Sequence, residues 1–471
     1  MKALFYCVFF LILGFASLLA NSQLLKSNSD KLSEPNNQES LKTDNGISPE
    51  SEDCESFKLN LKRVFSLIES ENLTVLLNRE RIEQALQESY VKRADLFPQV
   101  DLSFSQRRSQ TNFNAGGQGG DFIVSFQADR HDELINGSLA VFDLTKIAGY
   151  QSAKMGWKIS ALNYNAILQD VLTATGKLYY LHIRNLKALE VTDANIAEAE
   201  VLLDLAKARF NAGVASPIDV TKAEVQLAIY KRDRLNQEII IKSSELNLKR
   251  ALDLDADRPI EVSYTSSDKP RPKPNLEKPS LSLVFQNRYD YLTACGQLTR
   301  NKYDQKAAGW ASYPIINATG NWGYATPVVL MGRYKQEWTV GVGISMPIFD
   351  GFRIMSNVLA KGSLVRQQEA TVIDIANTIS TEYVLNAYTV ETLYSEIDLT
   401  RQQVSLGQQE LELAKTRFKE GVADNTDIVT AQTNLATFMD NLVNVLYLYD
   451  VSRLDWARTL GDVRNALCDA N

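Results

Sequence analysis

The 471-residue chain contains only two histidines, His131 and His182, far apart and in no ligand spacing with cysteines or paired carboxylates. That scarcity excludes a zinc site of the usual Cys/His kinds. Cysteine is almost as rare: Cys7 lies in the first apolar run, leaving Cys54, Cys295 and Cys468. Three thiols cannot all pair within one chain, so one bridge or none are the two readings. No G-x-S-x-G, P-loop or Rossmann glycine pattern occurs, and no clustered nucleophile, base or metal set. Nothing therefore points to an enzyme or a cofactor. A basic excess is also missing, with 57 acidic against 50 basic residues and a net charge of -7. Without a basic block there is no footprint for nucleic acid. After Ala20 no run of 18 apolar residues remains, so no later segment reads as a spanning helix.

What is present begins with "MKALFYCVFFLILGFASLLANSQ", one Lys2, an apolar run and small residues at Ala20 and Ser22. It reads as a signal peptide over residues 1–22, an uncleaved anchor being the alternative. Residues 23–56 have the composition of a disordered lead-in. An exported chain without a spanning helix is either soluble outside the cytoplasm or enters a membrane as a barrel.

The rest is written twice. "LAKARFNAGVASPIDVTKAEVQLA" from Leu205 returns 208 residues later as "LAKTRFKEGVADNTDIVTAQTNLA" from Leu413, with half of the twenty-four positions identical. Leu246 and Leu454, Arg250 and Arg458, and Leu252 and Leu460 keep that offset. Residues 57–253 and 281–462 are thus two copies of one unit, too long a period for a solenoid. Between them, residues 254–280 hold Pro259, Pro270, Pro272, Pro274 and Pro279 and read as a linker; residues 463–471 form a tail.

Each copy predicts helix, strand, strand, long helix, tight turn, long helix. The first helix spans Phe57 to Asp95, ended by Pro98. Period-two alternation marks four strands of about ten residues: Val100, Leu102 and Phe104; Ile135, Gly137, Leu139 and Val141; Ile316 to Tyr324; and Trp338, Val340, Val342, Ile344 and Met346. The last five share one face, which is predicted to meet lipid. "RRSQTNFNAGGQGGDFIVSFQADRHDE" and "ATPVVLMGRYKQ" read as loops. Long helices follow from about Ala148 to Ala212 and from about Arg353 to Glu420. Coiled-coil seams run through Ile167, Val171, Ala174, Leu178, Leu181, Asn185 and Ala188, and through Ala431, Leu435, Phe438, Leu442, Val445, Tyr449, Ser452 and Trp456.

The repeated stretch falls on the turn between the long helices. Gly213 suits a left-handed C′ position, Ser216 an N-cap, Pro217 the first helical position and Asp219 the third residue of a capping box. Gly421, Asp424 and Asp427 repeat the pattern. The aspartates either cap helices or organise a tip and constriction, and both roles can coexist. Four strands cannot close a barrel, since the smallest membrane barrels have eight, so several chains must share one.

The two turn motifs, "PIFDGFR" from Pro347, "FPQVDLS" from Phe97, "YPIINAT" from Tyr313 and the Pro-rich bridge together resemble the TolC-like outer membrane efflux proteins of Gram-negative bacteria. The resemblance covers Phe57 to Gly461. It implies a mainly α fold with β: a homotrimer sharing one 12-strand outer-membrane barrel, continued by a coiled-coil periplasmic tunnel. It further implies docking of the tip to a periplasmic adaptor, and through it to an inner-membrane pump or secretion transporter. On that comparison Asp219, Asp424 and Asp427 are candidates for the tip and gate, with Asp427 the ring former. Arg209, Phe210, Gly213, Arg417, Phe418 and Gly421 are candidates for adaptor docking, with Phe210 and Phe418 equally readable as seam residues. Departures are present. No cysteine follows the small residues of the leader, so no acylation is expected; "VFDLTK" from Val141 replaces a proline and glycines. Thr430 stands where a second tip aspartate would be, and Ala423 where a locking arginine would be. The rival reading is a soluble periplasmic coiled-coil adaptor or scaffold.

Overall fold

The computed structural model describes residues 57–117, 120–263, 273, 279–325, 335–420, 422 and 425–464. The leader and lead-in, Cys54, Cys468, most of the Pro-rich linker, the turn at 326–334, and Gly421, Ala423 and Asp424 lie outside the described residues.

The first repeat opens on β1 (Phe57–Leu59), then α1 (Leu61–Glu71) and α2 (Leu73–Ala94), β2 (Gln99–Gly117) and β3 (Gly120–Phe142), and the long pair α3 (Leu144–Asn211) and α4 (Pro217–Ala251). After β4 (Ile260–Val262), the second repeat runs α5 (Leu281–Asn287), α6 (Tyr289–Trp310), β5 (Ile315–Ala325), β6 (Lys335–Ser345), α7 (Arg353–Lys419) and α8 (Asn425–Leu460). None of the described helices is apolar enough over a sufficient length to cross a membrane.

The expected first helix is a strand and two helices. Asn72 breaks it, its side chain accepting from the Thr74 and Val75 amides at 3.0 and 3.2 Å and thereby starting a new helix. Phe57–Leu59 pairs in parallel with Ile260–Val262, which places a strand inside the expected linker. Leu59 and Val262 join Val64, Phe65, Ile68, Leu172, Leu248 and Leu454 in one core; Val284, Ile379, Val390, Tyr449 and Trp456 build its counterpart in the second repeat.

Both long α3 and α7 extend about 100 Å at 1.5 Å per residue. α3 packs on α4 and α8, and α8 on α7, giving the lateral order α4, α3, α8, α7. Nearer the strands α2 lies on α3, and α6 lies on α3 and α7. The α8 seam is buried or half-buried at every expected position. In α3 the buried line is Leu168, Leu172, Thr175, Tyr179 and His182, one residue away from the expected Ile167, Val171, Ala174, Leu178 and Leu181, and only Asn185 and Ala188 coincide. Ala174 is exposed. A helix touched from several sides buries a broad stripe, so a single heptad line misreads its centre.

The four long strands form one antiparallel sheet in the order β2, β3, β5, β6. The reading of Arg107 to Glu133 as a loop is overturned: β2 and β3 pair row by row to Gly117 and Gly120, while β5 stops opposite Asp132. Beyond that row β2 and β3 continue as a two-stranded ribbon. Arg108 spans it with a two-pronged bond to Asp129, at 2.7 and 2.8 Å. Arg107, Arg108, Gln110, Asp129 and Arg130 interrupt the apolar alternation and Phe122, Ile123 and Val124 are consecutive, which is why the sequence pattern did not reveal these strands.

Candidate functional site: the sheet face and the helical tip

Residues directly opposite in an antiparallel sheet share a face. The register aligns Leu102, Ile135, Trp322 and Trp338 in one row and Val100, Gly137, Gly320 and Val340 in the next. Leu139, Ala318 and Val342 form a third. At the end of the sheet a bulge skips Val141 and sets Phe142 opposite Ile316 and Ile344, so Phe142 rather than Val141 continues the face. One apolar surface thus crosses four strands. It lies open in the single chain: Val100 is 72% exposed and Val342 is 70% exposed. Trp338, Val340 and Ile344 stand on it as expected, and Met346 lies just past the strand end.

From Ile316 to Tyr324 the face measures about 27 Å along the strand, close to the apolar band of about 25 Å that a membrane barrel shows once its strands tilt. Phe104, Trp322, Tyr324 and Trp338 cluster at its far end, the place of an aromatic girdle. The other face is polar. Asn136 donates to Asp101 and Ser103, both at 3.0 Å, and Asn321 and Thr339 continue that surface.

At the opposite end of the helices the duplicated turns come together. Gly213 has φ +75°, the Val214 amide reaches back to the Arg209 carbonyl at 3.1 Å, and the Val422 amide reaches the Arg417 carbonyl at 2.9 Å. The same amide-to-carbonyl bond thus closes both helices, through a left-handed residue at Gly213 in the first. Asp219 accepts from the Ser216 amide at 3.1 Å and Ser216 Oγ accepts from Ile218 at 3.4 Å, a complete capping box. Asp427 lies exposed in the first turn of α8. Thr430 turns back on its own helix, donating to the Thr426 carbonyl at 2.8 Å.

The docking candidates divide. Phe418 is 3% exposed and sits in a cluster with Leu202, Leu411, Ala414, Ile428, Ala431 and Leu435; it is a seam residue and offers no docking surface. Arg209 is drawn onto it, its guanidinium 4.0 Å from the ring centroid. Phe210 is 43% exposed, and Arg417 and Gly213 are also open. The pattern search missed a groove of about 370 Å³ between the starts of α4 and α8, lined by Ile218, Thr221, Lys222, Val225, Gln226, Thr426 and Val429. Lys222 Nζ bridges it to Thr426 Oγ1 at 3.0 Å. Its only trace in the sequence is the seven-residue step from Ile218 to Val225.

The profile of the family described as "Outer membrane efflux protein" matches residues 64–253 and 281–462. The chain belongs to that family. Among curated relatives, the probable efflux pump outer membrane protein TtgC of Pseudomonas putida is 23% identical over 394 residues, covering 79% of this chain and 76% of that one. Outer membrane protein TolC of Escherichia coli is 22% identical over 434 residues, covering 86% and 85%. A crystal structure of a membrane protein from Pseudomonas aeruginosa superimposes with a TM-score of 0.77 at 19% identity, covering 91% of this chain and 99% of that one. As an outer membrane efflux protein the chain is an outer-membrane exit duct of an efflux system in a Gram-negative cell, with a periplasmic helical extension. That removes the soluble adaptor as a rival. The family consists of channels rather than enzymes, working within tripartite efflux systems.

Proposed function

We propose that three copies of this chain close one 12-strand barrel and a helical tube beneath it, a passive conduit opened by a periplasmic adaptor joined to an inner-membrane pump or secretion transporter. The observation that carries the reading is that sheet and helical layer are both open at two edges. β2 and β6 are edge strands running in opposite directions, so β6 of one copy pairs antiparallel with β2 of the next. In the helical layer the edges are α4 and α7, and each bears an apolar line with no cover. Leu399, Leu406 and Leu413 recur every seven residues on α7; Val225, Leu235 and Ile239 line α4. Head-to-tail packing of α4 on α7 buries both, as in a coiled coil. The number three comes from the likeness to the family.

In that ring the polar sheet face lines a wet lumen and the apolar face meets lipid. Asp427 from each copy converges at the tip, and like carboxylates brought together favour cations. Phe210, Arg417 and the groove between Ile218 and Val429 form the docking surface for the adaptor. Light scattering in mild detergent tests the assembly. A trimer is expected, and a folded monomer as the stable species rejects it.

A further inference from the structure

The duplication supplies an internal control for one buried cluster that the conduit does not use. His182 on α3 is 4% exposed, and its Nδ1 lies 2.9 Å from Ser244 Oγ on α4. Ser244 donates its own proton to the Ile241 carbonyl at 2.9 Å, so its oxygen accepts from the ring and Nδ1 carries the proton of the neutral imidazole. Beside it Lys249, 2% exposed, pairs with Glu245 and donates to the Ala256 carbonyl at 2.9 Å. Lys242 reaches Glu245 from the solvent side at 3.1 Å.

The second repeat packs the same joint without the buried imidazole and ammonium, while Asp450 and Arg453 take the places of Lys242 and Glu245. At the offset of 208 residues Val390 stands for His182, Ser452 for Ser244 and Ala457 for Lys249, all buried. Ser452 bonds the Tyr449 carbonyl at 2.8 Å, as Ser244 bonds that of Ile241. At those two positions apolar residues suffice for the fold, and a buried imidazole and ammonium cost stability relative to them.

We propose that His182 makes the contact of α3 with α4 an acid-sensitive joint, present in the first repeat alone. Neutral, the ring bonds Ser244 and holds the hairpin closed; protonated, it sets a second cation beside Lys249 in a dry seam and loosens α4. This goes beyond the conduit reading and does not depend on it. Burial is the largest influence on the ring and opposes protonation; Glu245 favours it and Lys249 opposes it, and the outcome lies below the ordinary 6.5. Both charged groups are on α4; the described residues of α1, α2, α6 and α8, the other helices against α3, add none that acts on the ring. Because the folded value is depressed, this stabilisation is complete above the unfolded value and is lost as pH falls through the folded one.

The test uses the full chain in detergent. His131→Gln leaves His182 as the sole imidazole, so labelled-histidine NMR reads its titration directly, with a midpoint expected below 6.5. Hydrogen exchange, corrected for intrinsic rates, is compared between about pH 7.5 and about pH 5.5. Amides around Ser244 should lose protection by roughly tenfold while those around Ser452 hold theirs. His182→Val, the second repeat's own residue, should abolish the loss, and Lys249→Ala should shift it to higher pH. An equal loss in the His182→Val variant, or a midpoint at or above 6.5, overturns the proposal. Should that variant not fold, an equal response of the Ser244 and Ser452 segments in the unsubstituted chain overturns it as well.

Discussion

The Arg209 guanidinium stacks over the Phe418 ring at 4.0 Å and also donates to the Phe418 carbonyl, joining the end of one long helix to the end of the other. Their counterparts by duplication, Arg417 and Phe210, are both exposed. One motif written twice therefore gives the clamp its arginine from the first copy and its phenylalanine from the second, and leaves the phenylalanine of the first and the arginine of the second open.

Arg209→Ala removes a stacked cation and a carbonyl bond at a partly buried site, so a loss of about 1 to 2 kcal/mol in local stability is expected. Arg417→Ala should stay within about 0.5 kcal/mol. Hydrogen exchange at the ends of α3 and α7 measures both. Equal effects contradict the asymmetry.

On the sheet, Val342→Arg places a charge on the apolar face and should cost about 2 to 4 kcal/mol, with impaired assembly. Thr339→Arg, on the polar face of the same strand, should assemble almost normally. Heat-modifiable migration on gels reports the difference, and comparable defects from both variants would falsify the facing.

Leu406→Glu alters an edge residue that touches nothing inside its own chain's core. The helices should keep their content by circular dichroism while the trimer fraction falls. Loss of helix content together with trimer places Leu406 inside the fold and contradicts the layer order.

At the tip, Asp219→Ala opens a complete capping box and should cost about 0.5 to 2 kcal/mol without changing conductance. Asp427→Ala should raise single-channel conductance and weaken block by multivalent cations. Unchanged conductance in planar bilayers for both variants removes Asp427 from the constriction.

Arg288, 5% exposed, grips Asp290 at 3.0 and 2.6 Å and Glu382 at 3.0 Å where α5 breaks into α6. Burial works to raise the Asp290 carboxyl, but Arg288 outweighs it and holds the group below its ordinary 3.8. A depressed carboxyl stabilises the fold above that value, and the contribution is lost as pH falls beneath it. Arg288→Met should cost about 1 to 3 kcal/mol, less than for a fully buried pair because both carboxylates are about a third open to water. It should also remove that share of the acid sensitivity. Thermal unfolding between about pH 5 and about pH 3 reads it out, and parallel curves for the two proteins speak against the network.

Duplication, the two long hairpins, the first-repeat capping box and the apolar strand face are legible in the residues alone, because each is a local pattern: an offset, a period or a turn composition. The family likeness was legible for the same reason. The ribbon from Gln106 to His131 was not, since charged residues such as Arg107, Arg108, Asp129 and Arg130 and the consecutive Phe122, Ile123 and Val124 leave no regular alternation. Nor was the fate of Phe210 and Phe418, identical in type and in motif position. Burial there depends on which neighbour arrives: α8, folding back between α3 and α7, covers Phe418 together with Leu202 and Arg209 of α3, while Phe210 is left to solvent. The joint at His182 and Ser244 is of the same kind: the two residues stand 62 positions apart, and only the packing of α4 on α3 brings imidazole and hydroxyl to hydrogen-bond distance in a buried place.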